Sequence, residues 1–146
     1  MTPEEFRKSL LFLSEEKADE VMKDFVGAAG FSFKDNSEFL MLTQWKDPAS
    51  AQAFVEVEKE LWRLKDEKYQ QYLKEVVYEA IDIAKDEQAL LTRKQIEQAG
   101  QRHDATTFVS TRGNYLFECT LIGDYKDKKV KKFILQIWKI IESEKK

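Results

Sequence analysis

The chain has 146 residues, of which 42% are hydrophobic, 35% charged and 12% aromatic, with a net charge of −3 at pH 7. That length suits one domain with its own core. Ten Phe, five Tyr and three Trp exclude a disordered chain, and the small net charge argues against a dedicated nucleic-acid binder. A single cysteine, Cys119, excludes an intrachain disulfide and a cysteine-based metal site. No run approaches the roughly 20 apolar residues of a membrane helix. The acidic opening Thr2-Pro3-Glu4-Glu5 lacks the basic segment of a signal peptide. A cytoplasmic setting is therefore the default expectation, and an extracytoplasmic one applies if a leader has been removed.

From the N-terminus, Thr2 is placed to cap a helix, with Pro3 at its first position and Glu5 completing a capping box. Phe6, Leu10 and Leu13 give that helix an apolar face. Ser14-Glu15-Glu16 opens a second helix carrying Ala18, Val21, Met22, Phe25 and Val26, with Gly27 and Gly30 as its stop. Phe31-Ser32-Phe33 and Phe39–Trp45 read as strands around a turn at Lys34-Asp35-Asn36-Ser37. Alternation puts Phe39, Met41, Thr43 and Trp45 on one face and Leu40, Leu42 and Gln44 on the other. Asp47-Pro48 starts a further helix.

Residues 49–99 contain neither Pro nor Gly. One helix of that length would reach roughly 75 Å, so breaks are predicted at Lys65-Asp66 and Lys85-Asp86. Glu75–Ala84 fits either a helix or a central strand, with helix preferred, and Glu87–Ala99 reads as a short helix closed by Gly100. Beyond it, 107–110 and Tyr115–Ile122 flank Gly113-Asn114 as a second hairpin. Val130, Phe133, Ile134, Ile137, Trp138 and Ile141 then mark a last amphipathic helix. The expected fold is α+β: two β-hairpins forming a four- or five-stranded, mainly antiparallel sheet covered by amphipathic helices. Similar β-β-α patterns at 31–64 and 107–142 suggest a worn duplication within a single domain, 1–146.

Few residues carry recognisable chemistry. His103 beside Asp104 could act as a base, but no nucleophile is linked to it and the stretch reads as a polar linker. Cys119 shares a face with Phe117 and Leu121 and reads as core. Glu118 then faces the other way with Leu116 and Thr120, on a side that is either solvated or the wall of an amphipathic pocket. Glu75, Glu79, Asp82 and Asp86 recur at helical spacing without the Glu-x-x-His of di-iron bundles, and Gly27-Ala28-Ala29-Gly30 is no phosphate loop. No metal and no cofactor is expected.

The leading functional expectation is a non-catalytic interaction or adaptor module, a homodimer among the options. Its surface would be formed by Trp62 and Arg63 with Lys128, Lys129, Lys131 and Lys132. These lysines belong to a basic end, 110–146, holding nine Lys/Arg against five Asp/Glu. The alternative is a small-molecule-binding domain with an aromatic pocket lined by Tyr115, Phe117 and Trp138. A third reading is a weak nucleic-acid or anionic-surface binder through the lysine face.

Overall fold

Period-two alternation governs more of the chain than the sequence reading allows. The computed structural model describes residues 1–33 and 38–144, with the backbone alone for residue 33. The turn expected at Lys34-Asp35-Asn36-Ser37 lies outside the described residues. Two short helices, α1 (Pro3–Lys8) and α2 (Glu15–Met22), lead into strands β1 (Phe25–Phe33) and β2 (Glu38–Trp45). Helix α3 (Pro48–Lys68) follows, then a 3-10 turn at Gln70–Tyr72. Four strands run on from it: β3 (Leu73–Ala84), β4 (Glu87–Gln98), β5 (Gln101–Arg112) and β6 (Tyr115–Ile122). Helix α4 (Asp127–Glu144) closes the order.

The helix starts are those the sequence announces. Thr2, Ser14 and Asp47 accept hydrogen bonds from the backbone N–H groups of Glu5, Lys17 and Ser50, which satisfies donors the first turn cannot. The α+β class and the antiparallel sheet hold, but the sheet has six strands rather than four or five, in the order β1-β2-β6-β5-β4-β3. Every neighbouring pair is antiparallel.

The extra strands come from segments with helical expectations. Glu75–Ala84 lies in β3 and Glu87–Gln98 is β4; buried Ile81, Ile83, Ala89 and Leu91 show the period of two that decides it. Lys85-Asp86 joins them as a hairpin turn, with Asp86 at φ 57°, a region Asp tolerates better than most residues. Ala99 and Gly100 connect β4 to β5 with φ of 53° and 76°, the two left-handed residues of a tight hairpin loop. His103 therefore sits in β5, paired with Ile96, not in a linker. Gly27 and Gly30 lie inside β1 rather than stopping a helix.

The sheet divides two cores. On one face α1, α2 and α3 pack Phe6, Leu10, Ala51, Phe54, Leu61 and Trp62 against Trp45, Val109 and Leu116. On the other, α4 packs Val130, Ile134 and Trp138 against Leu91, Phe108, Phe117 and Cys119. Both β-β-α units exist, but α3 and α4 cover opposite faces. A two-fold axis perpendicular to the sheet, the one that relates antiparallel neighbours β2 and β6, would place them on the same face.

Two arginines pin α4 at its ends. Arg93 on β4 pairs with Glu79 at 3.1 Å and with Asp127 in the first turn, and donates to the Tyr125 carbonyl. Arg112 on β5 pairs with Glu87 at 2.7 Å and Glu142 at 2.9 Å. Among the described residues no helix is long and apolar enough to cross a membrane.

Candidate pocket between α3 and the sheet

Cross-strand register brings one polar row together on the α3 face. Phe39, Thr120, Thr107, Thr92 and Tyr78 are successive partners across β2, β6, β5, β4 and β3. Threonine suits a strand because its branched Cβ packs on the pleat while its hydroxyl remains available for hydrogen bonding. Thr107 and Thr120 bond through their hydroxyls at 2.9 Å. Thr92 is 0% exposed, and its hydroxyl has no hydrogen-bond partner among the described residues. One step along β6 from Thr120 on the same face lies Glu118, opposite Met41 on β2.

Helix α3 roofs this row and then stops, leaving a cavity of about 360 Å³. Trp62, Tyr69, Tyr72 and Leu73 line one side; Phe39, Ile96, Ala105, Thr107, Glu118 and Thr120 form the sheet side. Lys65, Asp66, Lys94 and Gln98 complete the lining. Aromatic walls over a small set of convergent polar groups are what a small-ligand site requires, and the volume falls at the small end of such sites, roughly 300–1,000 Å³.

Two charged constellations border the cavity. Glu58 on α3 is buried and its carboxyl is hydrogen-bonded to that of Glu118. Burial, then the charge of Glu118 and the hydrogen bond to it, hold the Glu58 carboxyl well above the usual carboxylate range, against a smaller opposing pull from Lys65. At the other end, Asp66 of α3 accepts from Lys94 at 2.7 Å and from the Tyr78 hydroxyl. Tyr78 also packs its ring 6.5 Å from that of Trp62, and burial together with Asp66 holds its phenol above the ordinary value.

A larger hollow, about 580 Å³, opens around Arg93 and is bordered by Glu75, Glu79, Asp104, Asp124, Asp127 and Lys128. Arg93 is already spent on Glu79, Asp124 and Asp127, and the hollow lacks aromatic walls. The α3 cavity is the better-built site.

The residues singled out from sequence are scattered. Trp62 is buried and lines the cavity instead of projecting to solvent. Arg63, next along α3, is exposed and bonded to Glu60 and Glu67. Lys128, Lys129, Lys131 and Lys132 are exposed on the first turns of α4, with Lys129 over the Tyr125 ring at 5.5 Å. Tyr115, Phe117 and Trp138 lie together on the α4 face, where the Phe117 and Trp138 rings meet at 4.9 Å in packed core. Glu118 does face away from Cys119, as alternation requires, and its side is a pocket wall.

The residues missed are Glu58, Asp66 and Lys94. Glu58 had a signal: it falls between Phe54 and Leu61 on the buried stripe of α3, where an acid is out of place unless it has a partner. The chain matches no family model and no curated protein.

Proposed function

We propose that the protein is a small-molecule-binding domain whose ligand enters between the C-terminal half of α3 and the sheet. The observation carrying this reading is the cavity itself: aromatic walls, a threonine floor and a buried carboxyl pair at one end. Hydrophobic rings supply most of the binding free energy and the few polar groups fix orientation. The arrangement is one of binding: the single thiol, Cys119, faces the other side of the sheet, within the α4 core.

Native mass spectrometry of the purified chain tests the reading, together with a fluorescent apolar probe such as anilinonaphthalene sulfonate. A copurified small molecule, or one-to-one probe binding, is expected. Thr120→Phe, which places a ring in the cavity, should abolish either one while leaving the circular dichroism spectrum intact. Probe binding indifferent to that substitution would place the ligand elsewhere.

A second reading, an interaction module, draws on β1. This edge strand carries exposed Val26 and Phe31, 56% and 57% accessible, beside small Gly27, Ala28, Ala29 and Gly30. Unpaired, flat apolar edges are where another chain adds a strand. Sedimentation at micromolar concentration, with Phe31→Lys as control, decides it: an association abolished by the lysine supports the reading, and a monomer in both removes it.

A further inference from the structure

The polar groups of the α3 cavity differ in what they can still bond to, and that difference defines a ligand class. Two carboxyls in contact do not both ionise at neutral pH. Both members are buried, and Glu118 is the one that lines the cavity. Among the described residues Glu118 forms no ion pair with a cation, so a cavity-lining carboxyl is left for a ligand to pair with. A carboxylate that accepts a single hydrogen bond keeps further lone pairs, and only a donor can use them.

The neighbouring hydroxyls can accept from the same ligand. In the Thr107–Thr120 bond one hydroxyl donates to the other, which leaves lone pairs on both oxygens. The inner cation, Lys94, is committed to Asp66 at 2.7 Å. Lys65 also lines the cavity, and its exposure lets solvent weaken its charge. Trp62, Tyr72 and Phe39 add aromatic lining of a kind that favours a cation over an anion, and the Tyr69 ring already holds the Lys68 ammonium 5.6 Å from its centroid.

We infer that the cavity binds a small organic amine, its ammonium group donating to Glu118 and its apolar body held among Trp62, Tyr69 and Tyr72. This rests on the pocket reading above. It goes further in assigning the charge of the ligand and the side chain that selects it.

Three probes of one shape separate the two: 2-phenylethylamine, 2-phenylethanol and phenylacetate, titrated by isothermal calorimetry at pH 7. The amine should bind about tenfold or more tighter than the alcohol, as expected for a charge-assisted hydrogen bond, with the acid weakest. Glu118→Gln should remove the amine's advantage over the alcohol. Glu118→Asp, which keeps the charge, should retain a preference for the amine over the alcohol, so a loss in Glu118→Gln is separable from a loss of fold. Equal affinities for the three probes, a preference for phenylacetate, or an amine preference surviving Glu118→Gln would overturn the inference while leaving the pocket intact. Failure of all three probes to bind the unaltered protein would overturn the pocket reading as well.

Discussion

Lys94 on β4 and Asp66 on α3 meet at 2.7 Å, with both side chains only 12% exposed. The pair joins the end of the roof helix to the sheet, and Tyr78 bonds to the same carboxylate. Asp66→Ala leaves a partly buried ammonium and a phenol without their acceptor, which should cost about 1–3 kcal/mol of unfolding free energy. Adding Lys94→Met should recover much of that loss, because a hydrophobic chain replaces the orphaned charge. A urea-denaturation double-mutant cycle measures the coupling; a value near zero would mean the contact does not hold α3 down.

Glu58 predicts a pH dependence of definite sign. Its carboxyl titrates well above the ordinary 4.5 when folded, so the folded protein retains a proton that the unfolded chain has released. Stability should therefore fall as pH rises from about 4.5 through the raised folded value, by up to about 1.4 kcal/mol per pH unit for one proton. Glu58→Gln should flatten this slope and be the more stable protein at the alkaline end of the window. Urea midpoints for both proteins at pH 5, 6, 7 and 8 would show it, and parallel curves would refute it.

Cys119 is buried beneath α4, and its thiol is pushed up to about 12, chiefly by burial, with the charges of Glu38 and Glu118 adding to it. The thiolate is the reactive species. In the folded protein at pH 8 the thiol should stay unlabelled by iodoacetamide over times that label it fully in urea. Rapid labelling of native protein would mean that α4 opens locally.

Trp138 donates from its indole nitrogen to Ser110 at 2.7 Å, both residues being buried. Trp138→Phe strands the Ser110 hydroxyl and leaves space, for an expected loss of about 2–3 kcal/mol. Ser110→Ala should cost about 1–2 kcal/mol by stranding only the indole N–H. Thermal unfolding ranks the two, and the prediction requires Trp138→Phe to be the more damaging.

The fold was legible wherever the chain carries local punctuation. Thr2-Pro3, Ser14 and Asp47-Pro48 mark helix starts, and Gly113-Asn114 marks a hairpin, because a cap or a positive φ is decided by adjacent residues. The β3–β4 hairpin was misread for the opposite reason. No Pro or Gly separates α3 from β3, and the actual break is a 3-10 turn at Gln70–Tyr72. Val76 and Val77 fall at helical distance from Tyr69, Tyr72 and Leu73, so the helical pattern runs on past the end of the helix. The polar ends of β4 and β5 resemble a linker because the hairpin tip is exposed around Gln98 to His103.

The pocket was half legible. Alternation along β6 placed Glu118 opposite the core cysteine, and Glu58 stood in the apolar stripe of α3. Their meeting is long-range: it depends on how α3 crosses the sheet, which no local pattern encodes. Lys94 and Tyr78 could not be placed while their strands were read as helices.

Glu118 lies on β6 between Phe117 and Cys119, whose side chains are locked on the far side of the sheet under α4. The acid that faces the cavity thus has its backbone clamped from behind by a core that makes no contact with any ligand. Loosening that rear core, by shortening Phe117 or removing the arginine anchors of α4, would blur the aim of the carboxylate without altering any group in the cavity. On the amine-binding proposal, selectivity on one surface of this sheet would be maintained from the other.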